Sequence, residues 1–120
     1  MPMSRDSLDD LNEKLLAFAR ERDWEQFHSP KNLSMALAGE AGELIEHFQW
    51  LSEEASADLG VEKKDQVALE MADILIYLIR LSERLGIDLV DAAYRKMAMN
   101  QARYPSERVR GDARRAEEYD

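Results

Sequence analysis

Residues Val67 to Leu81 read VALEMADILIYLIRL. Setting each residue about 100° further round an axis distributes apolar side chains over almost the whole circumference, the pattern of a helix buried on every side. Glu70, Asp73 and Tyr77 nevertheless share one arc, flanked by Leu69 and Ile76 on one side and by Ile74 and Leu81 on the other. A carboxylate taken out of water without a partner costs several kcal/mol. The stretch therefore predicts a central helix and a cation to compensate its acids. It is no membrane span: the longest apolar run, Met71 to Ile79, contains Asp73 and is far shorter than the roughly 20 residues a bilayer requires.

Working outward, this helix begins near Val61 to Asp65 and runs to Leu85, where Gly86 suits a left-handed C-terminal cap. Upstream, Ser29-Pro30 supplies an N-cap and a proline at the first helical position. A second helix is expected from Pro30 to about Leu51, with Leu33, Leu37, Ala41, Leu44, Phe48 and Leu51 towards a core. A first helix, capped by Ser7 with Asp10 three residues on, carries the stripe Leu8, Leu11, Leu15, Phe18 and Ala19 as far as about Asp23. Residues 52–60 are small and polar and read as a loop. Asp88 starts a fourth helix that ends before Pro105. Apolar residues three and four apart, with little β-branched alternation, argue against a sheet. The expectation is an all-α, four-helix bundle formed by residues 1–105, followed by a charged tail, 106–120, that is exposed or partly disordered.

The 120 residues are 45% hydrophobic, enough to furnish one core without staples. With no cysteine, neither a disulfide framework nor a thiolate metal site is available, which suits a cytoplasmic protein. The first ten residues carry charge where an export signal needs its apolar region, and no membrane association is expected. A net charge of −9 makes a nucleic-acid polymer an unsuitable partner, because polymer binding needs a broad basic surface. A single nucleotide is not excluded, since a divalent ion and a few local cations can neutralise one triphosphate.

On the second helix, Glu40 lies at the edge of the Leu37–Leu44 stripe, with Glu43, His47 and Trp50 on the adjoining face. Each of two helices thus presents two carboxylates three residues apart, on one side and one turn from each other. The acids can be solvated or paired with Arg80, Arg84 or Lys96; two such pairs, one within a nearly all-apolar helix, favour a bound cation instead. With oxygen ligands only, that cation is hard, namely Mg²⁺ or Mn²⁺.

Glu40-Ala-Gly-Glu43 followed by Glu70-Met-Ala-Asp73 resembles the signature of the MazG-like all-α nucleoside triphosphate pyrophosphohydrolases. More specific are Arg22-Asp23-Trp24-Glu25-Gln26-Phe27-His28, Asn32-Leu33, Phe48-Gln49-Trp50, Ile76-Tyr77-Leu78 and Arg103-Tyr104-Pro105. In that order they are similar to the dCTP pyrophosphatase branch, over approximately Leu8 to Arg108. The resemblance implies magnesium held by Glu40, Glu43, Glu70 and Asp73 at the α-β phosphate linkage. It also implies dCTP or a modified dCTP as substrate, and a homodimer or homotetramer with sites between helices or across subunits.

Lys96, Asn100 and Arg103 stand at i, i+4 and i+7, so the fourth helix projects two cations and an amide from one face, as polyphosphate oxygens require. The MazG-like pattern has the same residue types at matching places. Trp24, His28 and Trp50 are candidates to enclose a base, and Tyr77, one turn beyond Asp73, to reach sugar or phosphate. The expected reaction is hydrolysis to monophosphate and pyrophosphate, policing a nucleotide pool, with one carboxylate taking a proton from water; Glu43 is the candidate. The alternative is a non-catalytic helical dimerisation or regulatory module whose acids hold structural ions. A di-iron carboxylate bundle fits poorly, because no histidine follows three residues after Glu40, Glu43, Glu46 or Glu70.

Overall fold

The computed structural model describes residues 7–114 and 116–118, and every regular element among them is helical. Four long helices stand where the periodicity puts them: α1, Ser7–Glu21; α2, Pro30–Glu46; α4, Val61–Leu85; and α5, Leu89–Arg103. Between α2 and α4 lies the one-turn α3, Glu53–Ser56, and after α5 comes α6, Ser106–Val109. Short 3₁₀ turns cover Glu25–Phe27 and Ala116–Glu118.

Local chemistry fixes most of the ends. Ser29 Oγ accepts from Asn32 N, 3.1 Å away, and Pro30 opens α2. Asp88 Oδ1 accepts from Asp91 N at 3.0 Å to start α5. Gly86, at φ 68°, closes α4 in the left-handed conformation that only glycine adopts without cost. Ser7 is already helical, so the N-cap of α1 falls outside the described residues.

Two expectations need correction. Helix α2 stops at Glu46, not near Leu51: His47 N bonds to Leu44 O and Phe48 N to Ile45 O, the i→i−3 pattern of a tightening last turn. His47, Phe48 and Trp50 thus lie beyond the helix. Residues 52–60 are not all loop, because Ser52 Oγ accepts from Ala55 N and caps α3.

The chain forms two compact units that meet in sequence at Gly86 and Ile87. In the first, α4 packs along α2 and against α1. Its core is small: Ala19, Leu33, Val67 and Ile79 are the fully buried apolar residues among those described. Helix α4 is not buried all round, contrary to the expectation from its sequence, since Leu69, Met71 and Leu75 remain 62%, 57% and 38% exposed. Two packed neighbours cover only part of a circumference. The second unit contains α5 and α6.

Candidate active site

Helices α2 and α4 bring Glu40, Glu43 and Glu70 together, each offering an oxygen that lies within 4.8 Å of those of the other two. Asp73, one turn beyond Glu70, adds its charge to the same environment. Glu40 Oε2 and Glu70 Oε1 are buried and have no hydrogen-bond partner among the described residues. Carboxylate oxygens are acceptors only, so facing one another they need a proton or a cation between them.

Without a cation, such crowding favours retention of a proton on one of the carboxyls. Hydrogen bonds with Glu70 and then Glu43, joined by desolvation and the two negative charges, push the Glu40 carboxyl up to about 8. Glu43 accepts from Glu70 and Glu40 and is held below the usual carboxylate range, helped by the charge of His47. For Glu70 the bond with Glu40 acts downward, but the bond with Glu43, desolvation and the charges of Glu43 and Asp73 outweigh it and leave Glu70 raised. The expected cationic partners are engaged elsewhere: Arg80 with Glu83 at 2.9 Å, and Arg84 with Glu25 at 3.8 Å. Crowded acids and two orphaned buried oxygens, with Arg80 and Arg84 paired to other acids, make a donor set suited to a hard divalent ion.

A pocket of about 320 Å³ adjoins these acids; Trp24, His28, Tyr77, Glu40 and Asp73 are on its wall. Trp24 is positioned by the end of α1, where Asp23 takes φ 54° and Trp24 N reaches back to Ala19 O at 2.9 Å. Its ring meets Phe18 edge-on, with centroids 5.7 Å apart. Asn32 Nδ2 donates to Phe27 O and ties the aromatic segment to the start of α2.

Trp24, His28, Tyr77, Glu40 and Asp73 are therefore assembled within the first unit, with Glu43 and Glu70 beside them. Trp50 is not on the pocket wall; it stands 87% exposed in the turns after α2. Lys96, Asn100 and Arg103 share α5 in the second unit and are all exposed, and Arg103 donates to Glu117 at 3.1 Å. Sequence reasoning missed Arg80, which also lines the pocket. A signal was present: it is the one cation inside the apolar stretch from Val67 to Leu81.

The chain is 46% identical over 109 residues to dCTP pyrophosphatase 1 of Rattus norvegicus, covering 89% of this chain and 64% of that protein. To the Homo sapiens dCTP pyrophosphatase 1 it is 43% identical over 111 residues, 91% of this chain and 65% of the relative. It thus spans just under two thirds of the length of these relatives. Among solved structures, a pyrophosphatase from Archaeoglobus fulgidus superposes with a TM-score of 0.80 at 34% identity, over 88% of this chain and 98% of that one. The MazG-like family profile matches residues 36–118, a segment that includes Glu40, Glu43, Glu70 and Asp73, and the chain belongs to the MazG-like family.

Proposed function

We propose that this protein hydrolyses a nucleoside triphosphate, dCTP or a modified dCTP, to the monophosphate and pyrophosphate. The observation that carries this reading is the juxtaposition, in one unit, of three carboxylates within 4.8 Å with a pocket walled by Trp24, His28 and Tyr77. The names of the relatives support pyrophosphatase chemistry and a cytosine base.

Glu40, Glu43, Glu70 and Asp73 would hold magnesium, or manganese in its place. The ion supplies positive charge against phosphate oxygens and acidifies water. Glu43 is held below the usual carboxylate range while Glu40 and Glu70 are raised, and an ionised carboxylate can take a proton from the attacking water. Trp24 offers its face to a base, and Tyr77 a hydroxyl to sugar or phosphate. Lys96, Asn100 and Arg103 are assigned to the departing phosphates, by residue type and spacing. Residues 1–105 form the catalytic domain in this reading, with 106–120 as a charged tail.

We further propose that the four long helices complete a bundle only as a homodimer or homotetramer, in which the exposed Trp50 closes over a base bound by a neighbouring copy. No described helix is long and apolar enough to cross a membrane; the expected compartment is the cytoplasm.

Water adds to the α-phosphorus, the bond from that phosphorus to the α-β bridging oxygen breaks, and pyrophosphate leaves with the electron pair. Hydrolysis of dCTP in ¹⁸O-labelled water tests this. The label is expected in the monophosphate; label in the pyrophosphate, or initial release of orthophosphate with accumulating diphosphate, overturns the cleavage site.

A further inference from the structure

Arg80 is the one fully buried charged residue among those described, 2% exposed. Its Nη1 donates to Glu83 Oε1 at 2.9 Å, and its Nη2 lies 3.3 Å from His28 Nδ1. Its Nε is buried and unpaired among the described residues. A guanidinium offers donors only and keeps its proton throughout the working pH range. The Nδ1 facing it must therefore present a lone pair. That makes the ring neutral, with its single proton on Nε2.

The backbone at the same residue is fixed independently, since Arg84 Nε donates to His28 O at 3.1 Å. Helix α4 thus grips residue 28 at both ring and carbonyl. Burial first, then the charges of Arg80 and Arg84, hold the His28 ring below its ordinary pKa against the smaller pull of Glu25, which agrees with a neutral imidazole. His28, Trp24 and Tyr77 line one pocket, and no hydrogen bond among the described residues engages His28 Nε2. A ring N–H beside an aromatic face is the arrangement that reads an acceptor on the edge of a stacked base.

We propose that Arg80 is a positioning residue that locks His28 as its Nε2–H tautomer, so that the pocket offers a donor to a carbonyl oxygen or unprotonated ring nitrogen of the nucleobase. This rests on the nucleotide hydrolysis proposed above. Arg80 acts through His28, so its loss weakens base capture more than the chemical step.

The chain has two histidines, which makes the tautomer directly readable by ¹⁵N–¹H correlation spectra of the full-length protein labelled at histidine, with His28→Gln to assign the signals. At pH 7.5, His28 should show an unprotonated Nδ1 and a protonated Nε2; a proton on Nδ1, or on both nitrogens, overturns the proposal. Arg80→Met combined with Glu83→Gln, which removes the carboxylate that would lose its partner, should mix the tautomers and raise KM for dCTP about 5- to 10-fold, with kcat within about twofold. Arg80→Lys, which keeps a donor, should recover part of that loss. An unchanged tautomer and KM in the double variant removes the role of Arg80; if that variant does not fold, the same two readings of Arg80→Lys against wild type decide. Failure of the wild-type protein to turn over any nucleoside triphosphate defeats the functional reading instead, and leaves the tautomer spectrum to be judged separately.

Discussion

At the residue scale, the decisive fact is that three carboxyl groups face one another while Arg80 and Arg84 are engaged with Glu83 and Glu25. Glu40→Gln, Glu43→Gln, Glu70→Gln and Asp73→Asn should each abolish turnover, because each removes ligand charge. The Glu40 and Glu70 variants should melt no lower than wild type in the absence of metal, because a neutral amide relieves the crowding. Turnover assays paired with thermal melts in a chelator check both halves, and near-normal turnover in two of the four would sink the shared site. A second consequence concerns protons. With Glu40 pushed up to about 8, the folded metal-free protein holds a proton at neutral pH that the unfolded chain has released. Its stability should therefore fall as pH rises from the ordinary carboxyl range through about 8, and binding of Mg²⁺ at pH 7 should expel close to one proton. Titration calorimetry in buffers of different ionisation enthalpy measures that number; a value near zero means the carboxyls do not share protons. The acidic pairs were legible in the sequence because a three-residue spacing places two groups on one helix face. The role of Arg80 was not, since its partner His28 is 52 residues away and no local spacing encodes that meeting.

At the scale of elements, helix ends were readable wherever one residue determines them, as with Ser29-Pro30, Gly86 and Asp88. The end of α2 was misread because apolar periodicity runs on through Phe48 and Leu51; that pattern reports which side chains are apolar and not where the i→i−4 bonds stop. The end of α1 holds a more informative departure. Asp23 sits at φ 54°, the one positive-φ residue other than glycine among those described, in a motif where Trp24 N bonds to Ala19 O and Asp23 N to Arg20 O. A residue with a Cβ is strained there by about 1–2 kcal/mol. Part of this is offset by Gln26 Nε2, which donates to Asp23 O and Oδ2 at 3.0 and 3.1 Å. Asp23→Gly should consequently raise stability slightly, by about 0.5 kcal/mol in urea denaturation, because relief of the backbone exceeds the added unfolded-state freedom of glycine and the lost side-chain bond. A drop in stability would mean that the Gln26 contact outweighs the backbone strain. If the turn serves to fix Trp24 on the pocket wall, the stabilised variant should also bind nucleotide less well, as expected when strain is stored at a functional site.

At the scale of the whole molecule, the sequence of α4 and its surroundings disagree in an instructive way. Fifteen residues from Val67 to Leu81 are patterned for burial on all sides, yet within its own unit the helix has only α1 and α2 as substantial neighbours. Leu69, Met71 and Leu75 stay exposed on α4, and Met35 and Ile45 stay exposed on α2. Isolated exposed apolar side chains are unremarkable, but several on two packed helices are what an obligate interface leaves when one copy is viewed alone. Four buried apolar residues among those described are also a small return for a chain that is 45% hydrophobic. Periodicity discloses that α4 is patterned for burial but not against what, because no local spacing points to a covering surface. Light scattering should find two or four times the 13.8 kDa chain mass, and the melting temperature should rise with protein concentration as folding and association share one equilibrium. Leu69→Lys together with Leu75→Lys should shift the protein towards monomer, since each places a charge where an apolar contact is expected. A monomeric wild type with a concentration-independent melting temperature would mean that α4 keeps its apolar face in water, and the proposal that Trp50 completes a neighbouring copy's pocket would fall with it.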